Sequence, residues 1–231
     1  MARTEPARAK VNLTLHVTGR TDRGYHLLDS LVVFPDLADQ LSARAADGVS
    51  LHVDGPFAFA LADQADNLIL RAATLLGADR AGAALTLTKN LPVAAGIGGG
   101  SADAAAALRL LARMWSKPVP PDAALSLGAD VPGCLISRSL RMRGIGEDLS
   151  RVRFLPDFWM VLVNSGHAVP TGPVFAALEH TDNAPMDLPE GFVHVDEFGA
   201  WLRAQRNDLE PPACVIAPTI PLVLAAINGQ M

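Results

Sequence analysis

The chain has 231 residues, of which 50% are hydrophobic and 19% are charged. This composition supports one large domain or two small ones with a proper core, and it argues against a disordered chain. The formal charge of −5 and the absence of a basic tract argue against nucleic-acid binding.

The sequence contains few features that indicate disulfide bonds, secretion or membrane insertion. Cys134 and Cys214 are far apart and lack the spacing of metal ligands, so we expect reduced cytosolic thiols. The basic residues near the N-terminus are not followed by an apolar segment, so no signal peptide is expected. The apolar stretch 214–227 is broken by prolines and is too short to span a bilayer. We therefore expect a cytoplasmic protein without a membrane partner.

Hydrophobic periodicity predicts the elements in chain order. Residues 10–17 alternate, which predicts an amphipathic strand with polar side chains at 10, 12, 14 and 16 on its polar face. Further strands are predicted at 30–34, 49–53, 84–88 and 158–163, and helices at 67–76, 103–114, 122–127, 173–179 and 197–206. Asn67 is the expected N-cap of the first helix. A change in composition near residue 155 predicts two domains, 1–155 and 156–231.

A glycine-rich loop between a predicted strand and an alanine-rich helix is the most informative segment. The loop consists of Pro92, Val93, Ala94, Ala95, Gly96, Ile97, Gly98, Gly99, Gly100, Ser101 and Ala102. Glycines leave backbone N–H groups free to close around an anion, and the start of the following helix adds unpaired N–H groups. The helix macrodipole adds partial positive charge there. The segment therefore predicts a phosphate cradle made mostly of backbone.

Two better-known phosphate loops do not fit this segment. No Gly-Lys-Ser/Thr sequence closes it, which excludes a Walker A loop. Ser101 stands where a dinucleotide-binding loop has its third glycine, and the residues about 20 further on, around 117–119, offer no acid at the end of a strand. A flexible glycine turn without a ligand is the structural alternative.

Five further motifs accompany the glycine loop. They are Lys-Val-Asn at 10–12, Gly-Tyr-His at 24–26, Gly-Ala-Asp-Val-Pro at 128–132, Arg-Gly-Ile-Gly-Glu at 143–147 and Asn-Asp-Leu-Glu at 207–210. With these motifs the chain resembles the GHMP small-molecule kinases, over about residues 8–227. The resemblance implies an α+β, two-domain GHMP kinase fold with the active site in the cleft between the domains. Its N-terminal domain is ribosomal protein S5 domain 2-like and its C-terminal domain is ferredoxin-like.

The resemblance is strongest to the branch of this superfamily that acts on a cytidine-diphosphate alcohol. It implies ATP-dependent, Mg²⁺-assisted phosphorylation of the 2-hydroxyl of 4-diphosphocytidyl-2-C-methyl-D-erythritol, in non-mevalonate isoprenoid precursor biosynthesis. The implied partners are ATP and this small molecule, and we expect a monomer or weak homodimer. The alternatives are another GHMP small-molecule kinase and a nucleotide-binding protein without activity.

A kinase also needs a cation near the transferred phosphoryl group and a residue that orients or deprotonates the acceptor. Lys10 is our candidate cation, and Asp130 is our candidate general base, the role that the resemblance also implies. Without this context, Lys10 would be a solvated strand lysine and Asp130 a turn or N-cap residue. Ser101 offers a hydroxyl to a phosphate oxygen or to Mg²⁺.

The acceptor site is predicted from aromatic and polar residues. Tyr25 can stack on a pyrimidine, and His26 can hydrogen-bond the edge of the ring. Asn12 lies beside Lys10, where it can bridge the sugar or phosphate region. The resemblance places Thr171 and Phe175 against the cytosine. Tyr25 has a structural alternative as a core or turn aromatic, and Phe175 has one as a core aromatic. The other histidines lack ligand spacing, so no metal-ligating residue is predicted.

The chain departs from the family pattern in two places. The family carries a third glycine-rich motif of the Ser-Gly-Ser-Gly type, and this sequence ends at Met231, about where that motif would begin. We therefore expect an incomplete C-terminal domain. The segment between the glycine-loop helix and Asp130 is about one helical turn shorter than usual, so a shift of Asp130 relative to the nucleotide is expected.

Overall fold

The computed structural model describes residues 3–61, 67–78, 81–120 and 122–229. The strands are β1 (Arg3–Arg8), β2 (Val11–Asn12), β3 (His16–Arg20), β4 (His26–Val33), β5 (Ala38–Ala46), β6 (Val49–Asp54), β7 (Gly82–Thr88), β8 (Leu140–Gly144) and β9 (Asp148–Arg151). The helices are α1 (Leu68–Leu75), α2 (Gly99–Trp115), α3 (Ala123–Leu127), α4 (Val131–Ile136), α5 (Thr171–Ala176), α6 (Val195–Arg203), α7 (Glu210–Ile216) and α8 (Thr219–Asn228). These elements confirm the α+β class.

The chain divides into two compact units. Unit 1 consists of Met1–Val11, Phe34–Val93 and Ile97–Arg138, and unit 2 consists of Asn12–Val33, Ala94–Gly96 and Ser139–Met231. Each unit is therefore built from separate stretches of the chain. The sequence-based domains 1–155 and 156–231 stay a prediction.

A four-stranded sheet with the order β1-β5-β7-β6 forms one layer of unit 1. The pairs β1–β5 and β5–β7 are antiparallel, whereas β6 and β7 are parallel. Along β7 every second residue is buried, namely Ala83, Leu85 and Leu87. This alternation confirms the half-buried strand predicted here and shows that its apolar face turns to the core.

Helix α2 is the central helix of unit 1. It packs against α1, α4, β1 and β5. Its residues Ala104 to Ala107 and Leu108 are completely buried. Alanine favours the helix and loses no side-chain entropy on burial, so this sequence forms a helix whose backbone can approach its neighbours closely.

The C-terminal end of α2 is held by a lysine. Ser116 ends the helix in a left-handed conformation, with φ of 53°. The Lys117 ammonium then donates to the Leu76 carbonyl at 2.9 Å and lies 5.8 Å from the centre of the Trp115 ring. A cation near an aromatic face is attracted by the ring quadrupole, so Lys117 ties α2 to the end of α1.

A buried ionic cluster joins the sheet of unit 1 to α2. The Lys89 ammonium donates to the carboxylates of Asp39 and Asp103, and all three residues are buried. Asp39 also accepts hydrogen bonds from the backbone N–H groups of Asn90 and Leu91. Burial alone would lower the pKa of Lys89, but the two carboxylates raise it, so the ammonium form is retained.

Unit 2 contains a five-stranded sheet and an aromatic core. The sheet has the order β2-β4-β8-β9, and β3 also pairs with β4. Its core consists of Leu31, Met186, Phe192 and Phe198 with partly buried neighbours that include Phe158 and Trp201. Arg141 on β8 binds Asp29 on β4 through two hydrogen bonds of 2.8 and 2.7 Å, which lowers the pKa of Asp29 although burial opposes this.

Several predicted elements are confirmed with small changes in their ends. Helix α1 follows Asn67, whose side chain accepts a hydrogen bond from the Ile69 N–H at 2.9 Å, as expected for an N-cap. Strand β6, helix α3 and helix α6 lie where alternation or helical spacing predicted them. Helix α2 begins earlier than predicted, inside the run of glycines.

Two strand predictions are wrong. Residues 10–17 do not form one strand, because β2 ends at Asn12 and β3 begins at His16. The expected polar face is buried too, including Lys10, Thr14 and His16. Residues 158–163 form no strand: Phe158 packs into the aromatic core while Trp159 is fully exposed. An apolar run becomes a strand only with a pairing neighbour, and no described strand pairs with this one.

Asp103 provides a pH test of the buried cluster. Burial raises its pKa to about 7, against 3.8 for an ordinary aspartate. Between these values the folded chain keeps a proton that the unfolded chain loses, so stability should fall as the pH rises from 5 to 7. We expect Asp103→Asn to remove a slope of up to about 1.4 kcal/mol per pH unit in the free energy of unfolding.

Urea unfolding at pH 5, 6 and 7 measures this slope. The exposed Asp122 is the matched control, and Asp122→Asn should keep the pH dependence of the unchanged protein. Parallel curves for Asp103→Asn and the unchanged protein would contradict the prediction.

Candidate functional site

The glycine loop adopts an alternating backbone conformation. Ala94, Gly96 and Gly98 have φ values of 54°, 72° and 63°, whereas the two residues between them do not have positive φ. Such alternation can turn successive N–H groups toward a common side and form a concave anion site. Pro92, Val93 and residues 97–102 belong to unit 1, while Ala94–Gly96 belongs to unit 2.

The first turn of α2 follows directly from this loop. Gly98 occupies the N-cap position, and no side chain caps the helix. The next residues are Gly99, Gly100 and Ser101, so small side chains surround the first N–H groups of the helix. These groups lie at the positive end of the helix dipole, and a 17-residue helix is long enough to develop it. The predicted phosphate cradle is therefore sterically open.

Lys10 and Asp130 meet in unit 1. The Lys10 ammonium donates to Asp130 Oδ1 at 2.7 Å, although 120 positions separate the two residues. The Lys10 side chain is 7% exposed and that of Asp130 is 39% exposed. The Lys10 N–H also donates to the Ile97 carbonyl at 2.8 Å, which fixes the lysine backbone to the glycine loop.

The structure overturns the simpler interpretation of Lys10 but not that of Asp130. Lys10 is not a solvated strand lysine, because it is buried. Asp130 does occupy the N-cap position of α4, but its side chain makes no capping hydrogen bond. Its carboxylate is therefore available to Lys10 and, through its exposed part, to a ligand.

Small residues also surround Ser101. A Cβ built on Gly128 would lie 4.0 Å from Ser101 Oγ, so the turn before Asp130 approaches the first turn of α2. In the following helix, burial and the neighbouring Asp130 raise the pKa of the Cys134 thiol to about 12. The thiol is inert as a nucleophile, and the chemistry of this region must come from other groups.

The predicted acceptor residues lie in unit 2. His26 and Phe175 stack with ring centroids 4.9 Å apart and an interplanar angle of 25°. Tyr25 precedes His26 and is 61% exposed, so it is not the core aromatic of the structural alternative. Thr171 is exposed at the start of α5, the helix that carries Phe175. Asn12 donates to Ser30 Oγ at 2.7 Å.

Arg20 sets the electrostatics of His26. Arg20 and His26 are paired residues of β3 and β4, and Arg20 Nε donates to His26 Nε2 at 2.9 Å. Burial lowers the pKa of His26, and the charge of Arg20 lowers it further. Since Nε2 accepts, the neutral ring carries its proton on Nδ1. The free ring edge thus offers one N–H donor.

Sequence reasoning missed the residues that brace the glycine loop. Asp39 accepts from Asn90 and Leu91 just before the loop, and Asp103 lies in α2 just after it. Lys89 joins both carboxylates. The available signal was an aspartate directly before the alanine run of α2, since a charge that is buried there needs a partner.

Neither a cluster of metal ligands nor a membrane-spanning helix is found in the part of the chain that the structure describes. No group of three or more His, Cys, Asp and Glu side chains is placed to hold a metal ion within those residues. Over the same ranges, every helix falls short of the length and apolar character that crossing a membrane requires.

Comparison with known proteins gives consistent matches. Residues 67–139 match the family described as GHMP kinases N terminal domain. A protein of Cereibacter sphaeroides (strain ATCC 17029 / ATH 2.4.9) named 4-diphosphocytidyl-2-C-methyl-D-erythritol kinase is 57% identical over 228 residues, which cover 97% of this chain and 81% of the relative. A protein of the same name from Ruegeria pomeroyi is 55% identical over 225 residues, covering 96% and 80%.

One solved structure extends the similarity to three dimensions. It is titled as a crystal structure of 4-(cytidine 5'-diphospho)-2C-methyl-D-erythritol kinase and matches with a TM-score of 0.71 and 35% identity. The match covers 96% of this chain and 81% of the other. Fold and sequence therefore point to the same group of proteins.

Two glycines of the loop give a matched pair of substitutions. Both have positive φ, which costs a non-glycine residue about 1–2 kcal/mol. A Cβ on Gly98 would also lie 3.0 Å from Lys10 Cβ, whereas one on Gly96 meets nothing within 4 Å. We expect Gly98→Ala to reduce the free energy of unfolding more than Gly96→Ala does, as measured by urea denaturation. Equal losses would mean that Lys10 does not pack against the loop.

Proposed function

Because the chain belongs to the 4-diphosphocytidyl-2-C-methyl-D-erythritol kinase family of the GHMP kinases, we propose that it phosphorylates the 2-hydroxyl of that cytidine-diphosphate alcohol with ATP. The observation that carries the proposal is the contact between Lys10 and Asp130 beside the glycine loop. It supplies an ammonium, a carboxylate and an anion cradle, which phosphoryl transfer requires.

The glycine loop binds the phosphates in this proposal. Its small residues let phosphate oxygens approach the backbone N–H groups, and the start of α2 adds the field of the helix dipole. Lys89 and its two carboxylates fix both ends of the loop, so little ordering remains to be done when the nucleotide binds. The ends of the cradle are therefore organised before its ligand arrives.

Asp130 and Lys10 act on the acceptor and the transferred group. The Asp130 carboxylate takes the proton of the acceptor hydroxyl while the hydroxyl oxygen forms a bond to the γ-phosphorus. The bond between that phosphorus and the leaving oxygen of ADP breaks, and its electron pair stays on ADP while the negative charge of the transferred group is spread over its three oxygens. The Lys10 ammonium stabilises that charge and orients the Asp130 carboxylate.

Mg²⁺ fits this site through the hydroxyl of Ser101. Mg²⁺ usually keeps several waters and takes its other ligands from the nucleotide phosphates, so a single protein hydroxyl is enough to hold it here. When bound, Mg²⁺ neutralises charge on the phosphate oxygens. The expected cytoplasmic location and the monomer or weak homodimer belong to the same proposal.

The acceptor is recognised through its cytosine. The exposed ring of Tyr25 and the face of Phe175 offer stacking surfaces, and the Nδ1–H group of His26 offers a donor to the cytosine oxygen. Thr171 adds a polar group against the cytosine, and Asn12 adds one for the sugar or phosphate region. Homoserine and mevalonate lack a pyrimidine, so these contacts select against them.

A substrate panel tests the proposed function. ADP release is coupled to an optical readout with the cytidine-diphosphate alcohol, homoserine or mevalonate as acceptor. We expect turnover only with the cytidine compound. Turnover with another acceptor would support a different GHMP kinase activity, and ATP binding without any turnover would support a nucleotide-binding protein.

Asp130→Asn separates chemistry from binding. The amide keeps the shape of the side chain but cannot accept the proton, so we expect kcat to fall by roughly 10²–10⁴-fold. The Kd of ATP, measured by calorimetry, should change by less than about twofold because Asp130 acts mainly in the transition state. Asp122→Asn is the control, and a parallel loss of turnover and nucleotide affinity would make Asp130 structural.

Tyr25→Ala tests recognition of the base. Loss of one stacking surface should raise the KM of the acceptor roughly tenfold, while the KM of ATP stays nearly constant. Trp159→Ala is the matched control, since Trp159 is another exposed aromatic of unit 2. If both KM values rise equally in Tyr25→Ala, Tyr25 does not bind the acceptor.

A further inference from the structure

Arg109 on α2 makes a hydrogen-bonded bridge between two other elements of unit 1. Its Nε donates to Glu5 Oε1 at 2.6 Å and its Nη2 donates to the Pro6 carbonyl at 3.0 Å. Its Nη1 donates to the carbonyls of Cys134 and Leu135 at 2.7 and 3.2 Å. The side chain is only 19% exposed, so these bonds compete little with water.

The partners of Arg109 belong to the elements that carry the reacting pair. Glu5 and Pro6 lie in β1, which leads to Lys10. Cys134 and Leu135 lie near the end of α4, which begins directly after Asp130. The last carbonyls of a helix have no intrahelical partner, so a cation at this end can hold the whole short helix in place.

We propose that Arg109 is a positioning residue that sets the separation of Lys10 and Asp130 by binding β1 and α4 together. The proposal rests on the proposed function for its kinetic consequence. A planar guanidinium has five N–H donors in a fixed fork, so it can hold two elements at a defined spacing. A lysine at this position has a single ammonium and cannot reproduce that geometry.

Arg113 is the internal comparison. It lies one helical turn further along α2 and its guanidinium binds the same carboxylate, that of Glu5. Its side chain is 50% exposed, and no hydrogen bond from it to α4 is found among the described residues. Loss of Arg113 removes an ion pair with β1 but leaves the bridge to α4 intact.

The experiment compares Arg109→Met, Arg109→Lys and Arg113→Met. Small displacements of reacting groups cost up to about 100-fold in rate, so we expect Arg109→Met to lower kcat by about 10- to 100-fold. The KM of ATP should stay within about twofold, because the glycine loop is braced separately. Arg109→Lys should retain the fold and lose part of kcat, and Arg113→Met should keep the kcat of the unchanged protein.

Hydrogen–deuterium exchange of residues 131–136 gives a readout that does not depend on activity. Exchange should increase in both Arg109 variants and stay unchanged in Arg113→Met. If the unchanged protein has no kinase activity, the proposed function fails while this comparison still decides whether Arg109 holds α4. Equal kcat and equal exchange in the Arg109 and Arg113 variants would overturn the proposal.

Discussion

One buried ammonium, that of Lys89, holds together the parts of unit 1 on which the glycine loop depends. It lies between the carboxylates of Asp39 on β5 and Asp103 on α2, immediately after the end of β7. Removing one member of such a buried group costs about 3–5 kcal/mol, because a charge is left without a partner. Strand, loop and helix therefore cannot separate independently. The loop has few functional side chains of its own, and it derives its defined ends from this cluster.

The glycine loop consists mostly of small residues, which are typical of flexible segments, but the charged side chains beside it hold it in a fixed position. In the proposed phosphate site, glycine and alanine leave the backbone N–H groups accessible, since any larger side chain would cover them. The charged side chains lie beneath or beside that surface, where Lys89 braces the loop and Lys10 meets Asp130. The small residues thus give a ligand access to the backbone N–H groups, and the charged residues hold the loop in place before a ligand binds. A substitution can damage one and leave the other intact, which makes binding and chemistry separable in this family member.

The sequence predicts local features of this fold better than long-range ones. Alternation identified β7, and the Asn67 cap identified α1, because both signals lie within one segment. The contact of Lys10 with Asp130 spans 120 positions, and only the family resemblance suggested it. Sequence reasoning missed α4, since the motif at 128–132 consists of residues typical of a turn, although its proline also suits a first helical turn. The apolar run at 158–163 predicted a strand, but periodicity cannot tell whether a pairing neighbour exists.

The chain contains only three lysines, and each ammonium has a role described above. Lys10 binds Asp130, Lys89 binds two carboxylates, and Lys117 binds the end of α1. Acylating reagents attack free, unprotonated amines, so these side chains react slowly in the native protein. Because the chain has 19 basic side chains and only three are lysines, arginine supplies most of its positive charge. Covalent acylation of a lysine becomes a sign that unit 1 has opened.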